Sequence, residues 1–552
     1  MRKLLPAVCA ALALGATVPA SLAQVPPHTE LTVGMTQFPP DMHPYITNTS
    51  IKDYIAGAVR RPMVAFSAAG EVICLLCTEV PSLANGRAKV VDRPDGGKGM
   101  EVLFTLKPDL FWGDGVPVTA ADVAFSFTVS QAFLPSPVVE AVEVVDPRTV
   151  RTRLKRVVYD FDRQIYLPLP EHIEGPIFRA AANAMDYGQK SAINRHPELP
   201  GLWFGPYRIA EFRPNESVTL TPNPFWKGPA PHFQKLTMRL VENTAALQAN
   251  LLAGDVDLVA QGNLGITLDQ VNALAKTAAD KFDIAFVPAV TSYEHLALNT
   301  DVKLLADKRV RQAMAMAIDR KTIIAKLFEG RLQIADSFMH PSLANWDKSV
   351  KTWPYDPKAA RAKLAEAGFK PGPDGILLSP TGERFSIDFV TTAGNRIREL
   401  VQQVLQTEFK AVGIELVVKN TPPRVFFGET VRKRDFKGMV MFQSDPPMDW
   451  VPVPYFHSTY IPRAENNWSG INYSGLANPT LDAALDAAQG ELDPVKRKAL
   501  WKTILDITAD EQAEIDLYFA TSAVLTPKWL TGVRNPERFG VVTLWVEDWQ
   551  PH

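Results

Sequence analysis

The stretch from Ser292 to Gly330 does most to limit what this chain can become. It opens as an extended run anchored by Tyr293, Leu296 and Leu298, and stops at the turn triplet Asn299-Thr300-Asp301. The apolar period then changes. Asp307 is placed to cap a helix, and Val310, Ala313, Met314, Ala317 and Ile318 fall on one helical face. Asp319 is placed to cap a second helix, whose Ile323, Ile324, Leu327 and Phe328 repeat that spacing up to Gly330, where a left-handed C-cap belongs. A strand feeding two short amphipathic helices is a unit of an α/β fold.

One such core cannot absorb the whole chain. Its 552 residues predict roughly three domain-sized units at about 150 residues each. The apolar share of 46% and the charged share of 21% are those of an ordinary soluble globular protein. A net charge of −2, with no polybasic run, gives nothing to hold nucleic acid or anionic lipid. The 45 prolines suit long ordered loops better than helical arrays.

The first residues read as a targeting segment. Arg2 and Lys3 are a positive n-region, Leu4 to Val18 an apolar h-region, and Ser21-Leu22-Ala23 a small-x-small site predicting cleavage after Ala23, so residues 1–23 form a signal peptide. Cys9 follows Val8 and matches a lipoprotein cleavage box poorly. Beyond it the chain has two cysteines, Cys74 and Cys77, in a C-x-x-C that reads as a small local disulfide in an oxidising compartment. Redox activity would need a strand-to-helix junction, and zinc would need further ligands, which the neighbouring sequence does not supply.

Three further blocks carry detail. Val102 to Leu106 alternates as a strand, followed by a loop holding Phe111 and Trp112 and by the capping-box spacing Thr119-x-x-Asp122 ahead of a helix. Gly205-Pro206-Tyr207 opens a hairpin whose second strand is Ser217 to Thr221, closed by Asn223-Pro224-Phe225-Trp226. A strand, a helix capped by Gly254 and a second strand ending at Val259 then form a βαβ-like unit, and Phe286-Val287-Pro288 connects it to the opening stretch. Downstream come a helix capped at Asp356 and ending at Gly368, a strand at Phe385–Val390, a helix whose face is Ile397, Leu400, Val401, Val404 and Leu405 and which stops at Gly413, strands at Ile414–Val418 and Lys437–Phe442, and then helices capped at Asn478 and Asp493.

Leu298-Asn299-Thr300, Val310-Arg311-Gln312-Ala313 and Ala317-Ile318-Asp319-Arg320, with the aromatic–Gly-Asp-Gly–Pro-Val-Thr block and the Gly-Pro-Tyr and Asn-Pro-Phe-Trp blocks, resemble the extracytoplasmic solute-binding proteins of ABC transporters, in the large peptide-binding family. The resemblance implies an α/β, two-lobed periplasmic binding protein of type II-like form, with hinge crossovers and an inserted accessory domain. It places the first lobe at 24–60 with 200–287 and 520–552, the accessory domain at 61–199, and the second lobe at 288–519. It implies a periplasmic monomer that takes a small-molecule or peptide ligand to membrane permease subunits. It implies neither cofactor nor catalysis. Trp112 and Asp114, which look functional, belong to folding in that family.

No nucleophile elbow, zinc-protease helix or phosphate loop occurs. Asp445 and Asp449 could pair as in a glycosidase, which keeps a secreted hydrolase as a rival reading, but Pro446-Pro447 between them fits a rigid turn. In the binding reading Asp445 pairs the ligand's ammonium, a charge that cannot be enclosed alone. Alternatively it caps its own turn. Asp449 is expected nearer solvent. Phe442 and Gln443 stand where the family commonly has Trp, and relatives carry sugars, opines or metal chelates as well as peptides, so a non-peptide solute is the alternative ligand. Other cleft candidates are Tyr293 beside the crossover, Arg396 or Arg398 as a carboxylate clamp, Asn472 and Tyr473 in a cleft-wall loop, and Trp450 and Trp468 as pocket walls.

Overall fold

A computed structural model of the chain describes residues 28–47, 49–67, 70–534 and 540–552. The expected signal peptide and its cleavage point after Ala23 lie outside the described residues.

The first lobe is built on a five-stranded sheet. Its order is Leu258–Val259, Glu30–Met35, Lys235–Leu240, Ser217–Pro222, Tyr207–Arg213. The first three run parallel, and the expected hairpin adds the antiparallel edge. The unit between Lys235 and Val259 is a βαβ crossover, with Asn243 capping the helix Thr244–Ala253 and Gly254 ending it at φ +84°. Helix Ser50–Val59 buries Tyr54, Ile55, Ala58 and Val59 against Trp203, Tyr207 and Trp549. Withdrawing a side chain such as Ile55 or Val59 from water contributes about 1.5–3 kcal/mol. The C-terminal segment Val542–Asp548 packs back onto this helix. A Cβ at Gly57 would meet Thr543 Oγ1 at 2.5 Å, so only glycine permits that approach.

A separate four-stranded antiparallel sheet, Ala88–Asp92, Lys98–Thr105, Thr149–Leu154, Val139–Asp146, has its own core around Val102, Phe104, Trp112 and Val123. Asp122 organises the loop ahead of its helix. It accepts from Thr119 N at 2.7 Å, from Glu171 N at 2.9 Å and from Trp112 Nε1 at 3.4 Å. Trp112 is fully buried and Asp114 accepts from Val116 N, so this aromatic–acid block shapes the fold and does not reach the cleft. Cys74 and Cys77 are joined by a disulfide, with Cα atoms 5.2 Å apart.

The second lobe holds a six-stranded mixed sheet, in the order Gln333–Ile334, Glu514–Pro527, Phe282–Leu298, Gly438–Ser444, Ser386–Val390, Glu415–Val418. Asp307 and Asp319 cap the helices Lys308–Met316 and Arg320–Leu327, whose Val310, Ala313, Met314, Ile323 and Ile324 enter the lobe's core. Gly330 adopts φ +73°, the left-handed conformation expected there.

Two antiparallel strands tie the lobes together. The connection expected at Phe286-Val287-Pro288 is instead the interior of one 17-residue strand, Phe282–Leu298, paired with Glu514–Pro527. Pro288 is accommodated because the ladder breaks beside it: register shifts between Pro288 and Tyr293. On one side of the break Val524 packs in the first lobe's core, and on the other Ile515 and Leu517 pack in the second's. The interruption therefore falls where the strand pair passes between lobes, the natural place for a hinge.

Candidate ligand-binding cleft

A cleft of about 1070 Å³ opens between the lobes at that interruption. One side is lined by the helix Ser50–Val59 and Arg60, by Pro62 to Phe66 beyond them, and by the segment from Val259 to Val271, which runs into the helix Leu268–Thr277. The crossover strands supply Ala289, Ser292 and Ala520 to Ala523, and the second lobe supplies Gln443 and Asp445. Among the described residues three charged side chains line it: Asp53, Arg60 and Asp445.

Asp445 is placed by the end of a ladder. Tyr293 and Ser444 are the last residues that pair between their two strands, so Asp445 is the first residue beyond the sheet. Pro446 and Pro447 have no backbone N–H to donate and cannot extend the pairing. One carboxylate oxygen, Oδ1, accepts from Ser292 Oγ at 2.5 Å and from Gln443 Nε2 at 2.9 Å. Oδ2 has no protein donor among the described residues. The side chain is thus oriented at one oxygen, exposed to the cleft, and ready to accept from a ligand cation at the other.

Asp449 corrects an expectation. It is the more enclosed of the two acids, not the nearer to solvent. Its Oδ2 meets Arg163 Nη2 at 3.3 Å and its Oδ1 accepts from Asn345 Nδ2 at 3.0 Å, while Tyr159 donates to its carbonyl. Burial raises the Asp449 carboxyl above its ordinary range, and Arg163 opposes that shift. The turn at Pro446-Pro447 directs the two acids to different partners, so they do not form a catalytic pair around one substrate.

The remaining candidates lie off the cleft lining. Tyr293 is 1% exposed, with its ring against Phe519 and His295. Its alternation along the strand puts it on the inner face, in a core with Trp501. Arg396 is exposed at the first residue of helix Arg396–Ala411. Arg398 makes the bidentate contact expected of such an arginine, but to Glu294, at 2.6 and 3.1 Å. Asn472 is fully buried and shapes its own loop, accepting from Ser474 Oγ and Gly475 N, both at 3.0 Å. Tyr473 packs beside Phe442, ring centroids 5.9 Å apart, and Trp450 packs edge-on to Tyr455 at the same separation. Trp468 has φ +57° in the same loop as Asn472.

Sequence reasoning missed Arg60. Arg60 and Arg61 are adjacent and of one type, and nothing in the sequence distinguishes them. In the structure they differ: Arg61 has Glu547 at 2.5 Å, whereas Arg60 makes no ion pair among the described residues.

Two lobes on a shared pair of crossover strands, with an oriented carboxylate in the cleft between them, define a clamp for solutes. The chain belongs to the bacterial extracellular solute-binding proteins, family 5, whose middle-region model matches residues 96–463. It is 26% identical over 480 residues to the oligopeptide-binding protein AppA of Bacillus subtilis, covering 82% of this chain and 81% of that one. Against the nickel-binding periplasmic protein of Escherichia coli it is 22% identical over 482 residues, 85% of each. Among solved structures, the oligopeptide-binding protein of Thermus thermophilus, complexed with a pentapeptide, superposes with a TM-score of 0.73 at 28% identity, covering 95% of this chain and 97% of that one.

Proposed function

We propose that this chain is the substrate-binding subunit of an ABC importer, capturing a di- to oligopeptide between its lobes and handing it to the membrane permease. It acts as an exported monomer, cleaved after Ala23 and working in the periplasm, and it binds without catalysing. The observation that carries the peptide reading is Asp445. A peptide's ammonium loses its water when the lobes close and needs a counter-charge, and Asp445 offers an oriented carboxylate with one oxygen uncommitted. A cleft of about 1070 Å³ lies at the top of the range of roughly 300–1,000 Å³ usual for small-molecule sites, which suits a ligand of several residues. The break in the ladder between Pro288 and Tyr293 leaves extended backbone at the cleft wall, to which a peptide main chain can pair whatever its side chains. The family, and the relatives named for oligopeptides, support the same role.

Native mass spectrometry of protein purified without denaturation tests this. The expected result is a co-purifying set of masses that fragment as di- to pentapeptides. A single bound sugar, opine or metal chelate would replace the peptide by another solute. Turnover of a bound compound would overturn the binding-protein reading itself.

A further inference from the structure

The cleft contains a cation that the protein does not answer. Arg60 lines it and is only 4% exposed. Nε and Nη2 of its guanidinium are sealed from solvent without any hydrogen-bond acceptor, which leaves Nη1 as the nitrogen with access to the cleft. Its planar face rests over Trp203, Cζ lying 4.7 Å from the ring centroid. The adjacent Arg61, equally buried, shows what a satisfied arginine looks like here: Glu547 at 2.5 Å and the Gly57 carbonyl at 2.6 Å.

Among the described residues no neighbour fills the gap. Glu174 is the acid that acts on Arg60 electrostatically, but its oxygens already accept from Tyr187 Oη at 2.8 Å, Ser191 Oγ at 3.0 Å and Ile193 N at 2.9 Å. Tyr45 gives its hydroxyl to the carbonyl of Leu167, a cleft-lining residue, at 3.0 Å. Lys52 is a second cation nearby, drawn off by the His43 carbonyl at 2.7 Å and by Asp41 at 3.4 Å. Burial lowers the Arg60 guanidinium to about 10, so it remains charged at neutral pH. An enclosed, unpaired cation is costly and persists where a partner arrives from outside. With Nε and Nη2 sealed, Nη1 is the donor left to make a charge-assisted hydrogen bond to a carboxylate entering the cleft.

We propose that Arg60 is the receptor for a carboxylate of the bound ligand, and that for a peptide this is the C-terminal carboxylate. The cleft then reads a zwitterion: Asp445 on the second lobe takes the ammonium and Arg60 on the first takes the carboxylate. Ligand charge would thereby bridge the two lobes and favour closure. This rests on the peptide reading of the cleft.

The test is calorimetry on the full exported chain. A pool of di- to pentapeptides identifies the tightest member, which is then compared as free acid, C-terminal amide and N-acetyl form, on wild type and on Arg60→Gln. Amidation should weaken wild-type binding by roughly 30-fold or more, and should weaken Arg60→Gln by less than about threefold. Acetylation should weaken both proteins alike. Arg60→Met, without ligand, should melt no lower than wild type, since it removes an unpaired buried charge. A purely structural arginine would instead lower the melting temperature and leave acid and amide equal. If wild type binds acid and amide equally while acetylation still abolishes binding, the Arg60 assignment is wrong and the Asp445 reading stands. If no peptide in the pool binds, the peptide reading fails and this inference falls with it.

Discussion

Asp445 and Asp449 sit four residues apart in one loop and have opposite surroundings. Asp445 leaves the end of a strand, is steadied at a single oxygen by Ser292 and Gln443, and faces the cleft. Asp449 is held by Arg163 and the Tyr159 hydroxyl, from the region of the four-stranded sheet, and by Asn345 of its own lobe. The same chemical group is a ligand receptor in one place and a fastener between regions in the other. What separates them is whether the protein has already consumed the carboxylate's capacity to accept.

The largest effect is expected at the free acid. Asp445→Asn keeps the shape and removes the counter-charge, so affinity for a peptide with a free ammonium should fall by about 2–5 kcal/mol, roughly 30- to several-thousand-fold, as measured by calorimetry. An unchanged Kd would place the anchor elsewhere.

Next comes an acid with no access to the cleft lining. Burial pushes the Asp516 carboxyl up to about 7, with Arg320 opposing and Asp336 reinforcing the shift. Its folded value lies above its unfolded one, so its contribution to stability is full below about pH 4 and is lost as pH rises through about 7. Denaturant titrations should therefore show wild type losing stability relative to Asp516→Asn across that window, with a slope of at most about 1.4 kcal/mol per pH unit. A difference independent of pH would mean that Asp516 is already ionised in the folded protein.

The disulfide closes a very short loop. Reducing Cys74–Cys77 should cost about 2 kcal/mol or less and leave peptide affinity unchanged. Unfolding on reduction would show that the bridge holds more of the chain than its own turn.

The smallest effect belongs to the occupied acid. Asp449→Asn weakens a pair that is still partly solvated, so it should cost about 1 kcal/mol of stability and change peptide affinity less than about fivefold. A loss as large as that at Asp445 would erase the distinction between the two positions.

Much of the fold was legible in the sequence because it is written locally. Caps at Asp307, Asp319, Asp356, Asn478 and Asp493 and left-handed glycines at Gly254, Gly330, Gly368 and Gly413 each follow from one or two residues. The two crossover strands were less visible. Proline at 288 argues against a continuous strand, and only the partner strand, more than 200 residues away, shows that the ladder breaks to admit it. The site was legible in part. Asp445 follows a strand that periodicity identifies, whereas Tyr293, Asn472 and Tyr473 are residue types equally suited to packing, and it is packing that holds them. Arg60 and Arg61 are indistinguishable in sequence, because what separates them is Glu547, brought alongside by the C-terminal return.

The central claim is that an uncommitted carboxylate in the cleft pairs a peptide's ammonium. Calorimetry with one peptide, free and N-acetylated, on wild type and Asp445→Asn, tests it most directly. Acetylation should abolish wild-type binding and change little in the variant. Equal binding of the free and acetylated peptides to wild type would contradict it.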